Sequence, residues 1–224
     1  MIEIVTATRS DAATFRSDAM LGKSRQRLRY NPTIAWRVAV SNSAGLPRVY
    51  NAAISDSNEH DIVVFIHDDV WIDDYFFGQR IVEGLKSFDV IGVAGNRRRA
   101  PNQRCWFSTS PNDYSFDTGN LSGILAQVVE ETPQVTTFGA VPAPCELLDG
   151  VFLAARKSKL LEAGVGFDER FDFHFYDMDF CRSARAAGLR LGTWPIAISH
   201  HSASVFGGPA WEQQKALYFG KWGD

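Results

Sequence analysis

The sequence is poor in cysteine, in charge of one sign and in long apolar runs. Cys105, Cys145 and Cys181 are an odd number, at spacings that match neither a zinc ribbon nor a disulfide framework. A reducing compartment is therefore expected. Lys and Arg total 23 against 26 Asp and Glu, a formal net charge of -3. Nothing global draws the chain to nucleic acid, and none is expected as a partner; polyanion binding would have to come from local patches. Two such patches exist, Arg25-Arg27-Arg29 and Arg97-Arg98-Arg99 with Arg104. No apolar stretch approaches the ~20 residues that span a bilayer, and the opening MIEIVTATRSD lacks a signal-peptide profile. These features lead us to expect a cytoplasmic protein with at most peripheral membrane contact. A phosphate-binding loop is excluded too: Gly22-Lys23-Ser24 has Ser17 where the earlier glycine is required, and no apolar strand leads into it.

What is present is ordinary in bulk and specific in order. Hydrophobic residues make up 45% and charged residues 22% of 224, which suits one soluble domain with one compact core. The first half alternates strand-like and helix-like segments: IEIVTAT, a polar helical stretch from Asp11, IAWRVAVS, a helix Pro47 to Ser55, DIVVFIH, a helix Asp73 to Ser87, and DVIGVAG. This alternation predicts an α/β fold with an open, mostly parallel twisted sheet and helices on both faces. From Asn96 to Asn120 periodicity is lost in a long loop rich in Pro, Asn, Ser and Asp. Order resumes with strands in VTTFGAVPAPCELLDGVFLAAR and a short helix from Lys157. There follow a helix Tyr176 to Ala187 stopped by Gly188, a strand in LRLGTWPIAISHH, and a terminal amphipathic helix Pro209 to Lys221. That last helix is expected to pack on the core rather than reach a membrane.

Chemistry-bearing residues cluster at the ends of these elements. The buried-strand run Ile62 to Ile66 stops at His67-Asp68-Asp69, in the crevice where parallel sheets bind ligands. Adjacent carboxylates repel unless a cation or donors hold them, so a divalent metal serving an anionic substrate is the economical reading. Asp73 and Asp74 are instead expected to cap the next helix. Asp177 and Asp179 open a helix after the aromatic-rich FDERFDFHFY, where a carboxylate could take a proton from a hydroxyl or merely cap. His200-His201 ends a strand and could contact metal or phosphate, or be structural. Oxygen ligands with an occasional imidazole suit Mn²⁺ or Mg²⁺ better than zinc.

Assembled in order, VVFIHDDV, LLDGVFLAARKSKL, GFDERFDFHFYDMDFCRSARAAGLRL, His200-His201 and FGKWG make the chain resemble the glycosyltransferase family 2 enzymes of the GT-A fold. The nearer likeness is to the subgroup carrying HDDV. The resemblance implies one domain, 1–224, with a Rossmann-like nucleotide-binding half (1–95) and an acceptor-binding half (96–224). It assigns Asp69 as metal ligand with Asp68 beside it, His200 or alternately His201 on metal or diphosphate, and Asp177 as catalytic base. Thr6, Ala7, Arg9 and Asn51 would line the nucleoside pocket, with Asp149 and Gly150 near the donor sugar. Implied with these are a divalent cation, a nucleoside-diphosphate sugar donor and a saccharide or lipid-linked acceptor. The activity would be inverting transfer in surface polysaccharide or other glycan synthesis. The sequence departs from the family pattern at His67, in place of the first acid of the aspartate pair, at Tyr176, in place of a glutamate before the base, and at Ser183, in place of a common arginine. Rival readings are a sugar-phosphate nucleotidyltransferase and a nucleotide-sugar-binding module without transfer.

Overall fold

The computed structural model describes residues 1–201 and 206–224. Through the first half the elements are β1 (Ile2–Ala7), α1 (Ala12–Ser17), α2 (Met20–Arg27), β2 (Ile34–Ala39), α3 (Leu46–Ser55), β3 (Ile62–Ile66), β4 (Val70–Ile72), α4 (Phe77–Ser87), β5 (Val90–Gly92) and β6 (Ala94–Asn96). After the long loop come β7 (Leu121–Val129), β8 (Thr132–Gly139), β9 (Ala143–Pro144), β10 (Leu147–Leu148), β11 (Phe152–Arg156), α5 (Lys157–Glu162), α6 (Tyr176–Ala186), β12 (Leu191–Thr193), β13 (Ile198–His200) and α7 (Pro209–Trp222).

One sheet has the order β2-β1-β3-β11-β5-β12-β9. Strands β2, β1, β3, β5 and β12 run one way, while β11 and β9 oppose them. Its centre is β3, whose IVVFI is buried throughout. Alternation of side chains along a strand sends Val63 and Phe65 into a core with Tyr50, Ala53 and Ile54 of α3 and Met178, Phe180 and Cys181 of α6. Ile62, Val64 and Ile66 face a second core with Phe77, Ile81 and Leu85 of α4. Helices thus cover both faces, as the continuous apolar run requires. A second sheet, β10-β6-β7-β13-β4 with β8 on β7, closes over the carboxyl end of β3.

Boundaries differ from the sequence expectation where side chains intervene. Helix α4 starts at Phe77 rather than Asp73. The amides of Asp73 and Asp74 both donate to the Ala197 carbonyl (3.0 and 3.1 Å), holding the chain against β13. Asp74 accepts the Phe76 amide (2.7 Å) in a turn and pairs with Arg80 (2.6 Å), so it does not cap the helix. The β7–β8 hairpin turns at Glu130-Glu131, both at positive φ, and without the Asn-Gly signal of such turns its first strand was not anticipated. Helix α7 does pack on the core, burying Trp211, Gln214 and Tyr218.

Asp179, the second acid opening α6, serves this packing. It is fully buried, accepts the Trp222 indole N–H (2.8 Å) and pairs with Lys221 (2.7 Å), fastening α7 to α6. Asp179→Ala should therefore cost about 2 kcal/mol, below the range for a fully buried pair because Lys221 keeps some solvent. Chemical denaturation of the two proteins measures it, and an unchanged midpoint would refute the role.

Candidate active site

Strand β3 delivers His67, Asp68 and Asp69 to the carboxyl end of the sheet, and β4 then turns back to pair antiparallel with β13, His200 opposite Val70. That register brings the His200 Nε2 to 3.3 Å from Asp69 Oδ1, while the His201 amide donates to the Asp69 carbonyl (3.0 Å). Ligand atoms of His67, Asp69 and His200 all lie within 4.8 Å of one another. The approach of His200 is off the hydrogen-bonding direction, and Asp69 Oδ1 remains a buried oxygen without a hydrogen-bond partner. Buried polar atoms are rarely left so.

A second arm comes from the segment after β10. The Asp149 amide donates to the Ala94 carbonyl (2.9 Å) and its carboxylate accepts the Val151 amide (3.0 Å). Gly150 between them is gripped by α6: its N–H donates to Asp177 Oδ2 (3.0 Å) and its carbonyl accepts the Tyr176 hydroxyl (2.8 Å). A Cβ at Gly150 would lie 2.4 Å from that hydroxyl and 2.8 Å from Asp177 Cβ, so no other residue fits. The other Asp177 oxygen accepts the Met178 amide (2.8 Å). Ahead of α6, Phe175 adopts a left-handed φ of 62°, a conformation costly for a bulky side chain. It is held there between the rings of Trp211 and Tyr218, each 5.3 Å away.

These groups share one cavity of about 500 Å³, lined by His67, Asp69, Asp149, Gly150, Asp177 and His200. Trp106, Phe107, Phe116, Phe138, Phe173 and Phe206 form its aromatic wall, which meets the polar residues where the Phe173 ring lies 5.5 Å from that of His67 and Trp106 reaches Asp149. The loop carrying part of that wall is fixed by Asp117, which takes both a bidentate contact from Arg98 (2.6 and 2.8 Å) and the Asn96 and Asn120 amides (3.2 and 3.1 Å).

Burial and the nearby Asp149 push the Asp177 carboxyl up to about 7. Asp149 is raised by burial as well. Burial lowers His67 to about 4, so its ring is neutral. Burial would raise Asp69, but His200 and His67 outweigh it and hold the carboxyl below its ordinary range. His200 moves the other way: Asp69 raises it against the effect of burial.

Of the residues singled out in the sequence, Asp69, Asp149, Gly150, Asp177 and His200 meet in this cavity. Thr6, Ala7, Arg9 and Asp68 lie outside its lining, around the adjoining end of β1. There Asp68, raised by burial, is countered by a hydrogen bond from the Thr8 side chain, a contact the sequence did not reveal. Two further residues also lie apart from the cavity. The side chain of His201 is not in the ligand cluster; its neighbour points there, and in a strand successive side chains face opposite ways. Asn51 lies away from the cavity, its carboxamide spent on the Phe167 carbonyl and amide (2.8 Å each). In its place His67 enters the cluster. The two departures His67 and Tyr176 prove to be partners, with His67 Nε2 and the Tyr176 hydroxyl 2.9 Å apart. Of the arginines after β6, Arg98 and Arg99 are spent on Asp117 and Asp224, and Arg104 reaches the cavity.

Solved structures share the architecture at low identity. S. aureus TarS matches with a TM-score of 0.51 and 12% identity, covering 90% of this chain and 36% of that one. GalNAc-T7, solved with UDP, GalNAc and Mn²⁺, matches with a TM-score of 0.55 and 6% identity, covering 90% and 44%. The chain thus spans less than half the length of either, and the likeness is one of GT-A fold. No curated protein matches it in sequence. The model of one family, described as glycosyltransferase-like, does match, over residues 28–203. With the cavity described above, that match places the chain in the glycosyltransferase-like family.

Proposed function

We propose that this protein transfers a sugar, with inversion, from a nucleoside-diphosphate donor to a hydroxyl of a saccharide or lipid-linked saccharide acceptor. The observation that carries the reading is the shared cavity: a carboxylate with a raised pKa, Asp177, faces the same space as the His67, Asp69 and His200 cluster. The donor set fits a divalent cation. It supplies one carboxylate and two imidazoles, and the orphaned Asp69 Oδ1 would gain a partner. Two nitrogen donors favour Mn²⁺ over Mg²⁺. When bound, such an ion would neutralise charge on the donor's diphosphate. GalNAc-T7, of the same fold, was solved with UDP and Mn²⁺, which accords with this reading.

The chain's own residues supply the rest. Asp177 accepts the proton of the acceptor hydroxyl as that oxygen attacks the anomeric carbon and the bond from that carbon to the diphosphate oxygen breaks, releasing the nucleoside diphosphate. A base whose pKa lies near neutrality is well matched to that task. Its position is fixed by the Gly150 and Met178 amides. Asp149, beside it, is placed to accept a hydrogen bond from the donor sugar. The aromatic wall offers rings to the apolar face of a sugar and keeps water from the anomeric centre. Thr6, Ala7, Arg9 and Asp68, at the end of β1, would hold the nucleoside.

Asp177→Asn should leave donor affinity within about threefold and lower transfer by roughly 10²–10⁴-fold; near-normal turnover in a radiolabelled-sugar assay would remove the base assignment. Because only the ionised carboxylate accepts a proton, kcat/KM should fall as pH drops below about 7. That limb should vanish from the residual activity of the asparagine variant. Asp69→Ala should abolish cation-dependent binding of nucleoside diphosphate by calorimetry. Affinity unaffected by both the substitution and chelator would exclude a cation at this cluster.

A further inference from the structure

A second surface carries chemistry that the cavity does not use. From Ala19 to Ser55 the chain has no Asp or Glu, and α2 with its exit displays Arg25, Arg27 and Arg29. Arg25 and Arg29 are exposed, and among the described residues none of the three joins a salt bridge. The Arg27 guanidinium carbon stands over two rings, 4.6 Å from the centroid of Trp71 and 5.1 Å from that of Tyr75. Its Nε and Nη2 are buried with no hydrogen-bond acceptor. Arg29 stacks on Tyr30 at 4.6 Å. Beside these cations stand large side chains open to solvent: Tyr30 at 82%, Tyr75 at 77% and Phe76 at 61% exposure. Arg27 joins the two segments, and Thr33, just after Tyr30, packs by Gly78, just after Phe76. The neighbouring acids are otherwise engaged, Asp74 with Arg80 and Asp73 with the Ser199 hydroxyl.

We propose that this arginine and aromatic face docks the protein on an anionic lipid bilayer. The proposal goes beyond the transfer reading and does not depend on it. The exposed, unpaired guanidinium groups of Arg25 and Arg29 match lipid phosphates, and stacking on Tyr30 leaves the N–H edges of Arg29 free to donate. Exposed Tyr and Phe beside them suit the headgroup layer, where amphipathic rings gather. An extended polyanion is disfavoured because the protein is net negative and the cations form a compact face rather than a long stripe. No helix among the described residues is long and apolar enough to cross a membrane, so attachment by this face would be peripheral and sensitive to salt. The face is also tied to the segment that carries Asp69. The Leu21 amide of α2 donates to the Asp68 carbonyl (3.0 Å), and Arg27 follows about 9 Å along the helix at ~1.5 Å per residue.

The test is vesicle co-sedimentation of the whole chain with phosphatidylcholine alone and with phosphatidylglycerol added, at low and high salt. Binding is expected only to the anionic vesicles and should weaken with salt. Each arginine near such a surface contributes about 1 kcal/mol, so Arg25→Gln with Arg29→Gln should lower partitioning about 30-fold. Tyr75→Ser with Phe76→Ser should lower it about tenfold through lost apolar contact. All these side chains are exposed, so melting temperature and nucleotide binding should be unchanged, which separates failure of docking from failure of the transfer reading. Equal binding to neutral vesicles would overturn the proposal. So would partitioning indifferent to both pairs of substitutions, or aromatic-independent binding matched by a soluble polyanion such as heparin.

Discussion

Gly150 is held at both of its backbone polar groups by consecutive residues of one helix, its N–H by Asp177 and its carbonyl by Tyr176. The rest of the site depends on this clamp. It fixes α6 against the segment that carries Asp149, and through the contact of His67 with Tyr176 it reaches the end of β3. The two hydrogen bonds contribute modestly, but breaking them would leave buried polar groups unpaired in a cavity that already crowds Asp149 against Asp177. The raised pKa of Asp177 follows from that crowding and from burial. Thus one contact that admits only glycine sets both the geometry and the electrostatics of the proposed base.

The scaffold was legible because its signals are local. The apolar run Ile62 to Ile66 suits a strand covered on both faces, and Pro47, Gly188 and Pro209 mark helix ends that the structure places within a residue or two. The carboxylates at strand and helix ends were legible for the same reason. What escaped depended on long-range contacts. Asn51 pairs with Phe167 across 116 residues, and no local pattern distinguishes that role from a pocket residue. The choice between His200 and His201 rested on which face of a short strand met Asp69, a matter of register with β4. Strand β7 carries no conventional turn residues at its hairpin, where Glu130 and Glu131 both take positive φ.

His67 and Tyr176 were each unusual for the resemblance and together are ordinary. Carboxylates at both positions, as in the family pattern the sequence otherwise follows, would put two like charges where the structure has an imidazole and a phenol 2.9 Å apart. A neutral pair lets this junction stay buried without a counter-charge, and burial is what keeps His67 unprotonated. An unprotonated imidazole retains the lone pair that a cation requires.

Part of the aromatic wall is mounted apart from the carboxylates. Trp106, Phe107 and Phe116 sit on a loop outside both sheets, anchored by Asp117 through Arg98, Asn96 and Asn120, whereas Asp69, His200 and Asp177 are set by strand register and helix position. Evolution can therefore revise the contour at Phe107 and Phe116, provided the Asp117 anchor is kept, while Asp69, His200 and Asp177 stay untouched. Closely related proteins could diverge in what they accommodate by exchanging little more than a single surface segment.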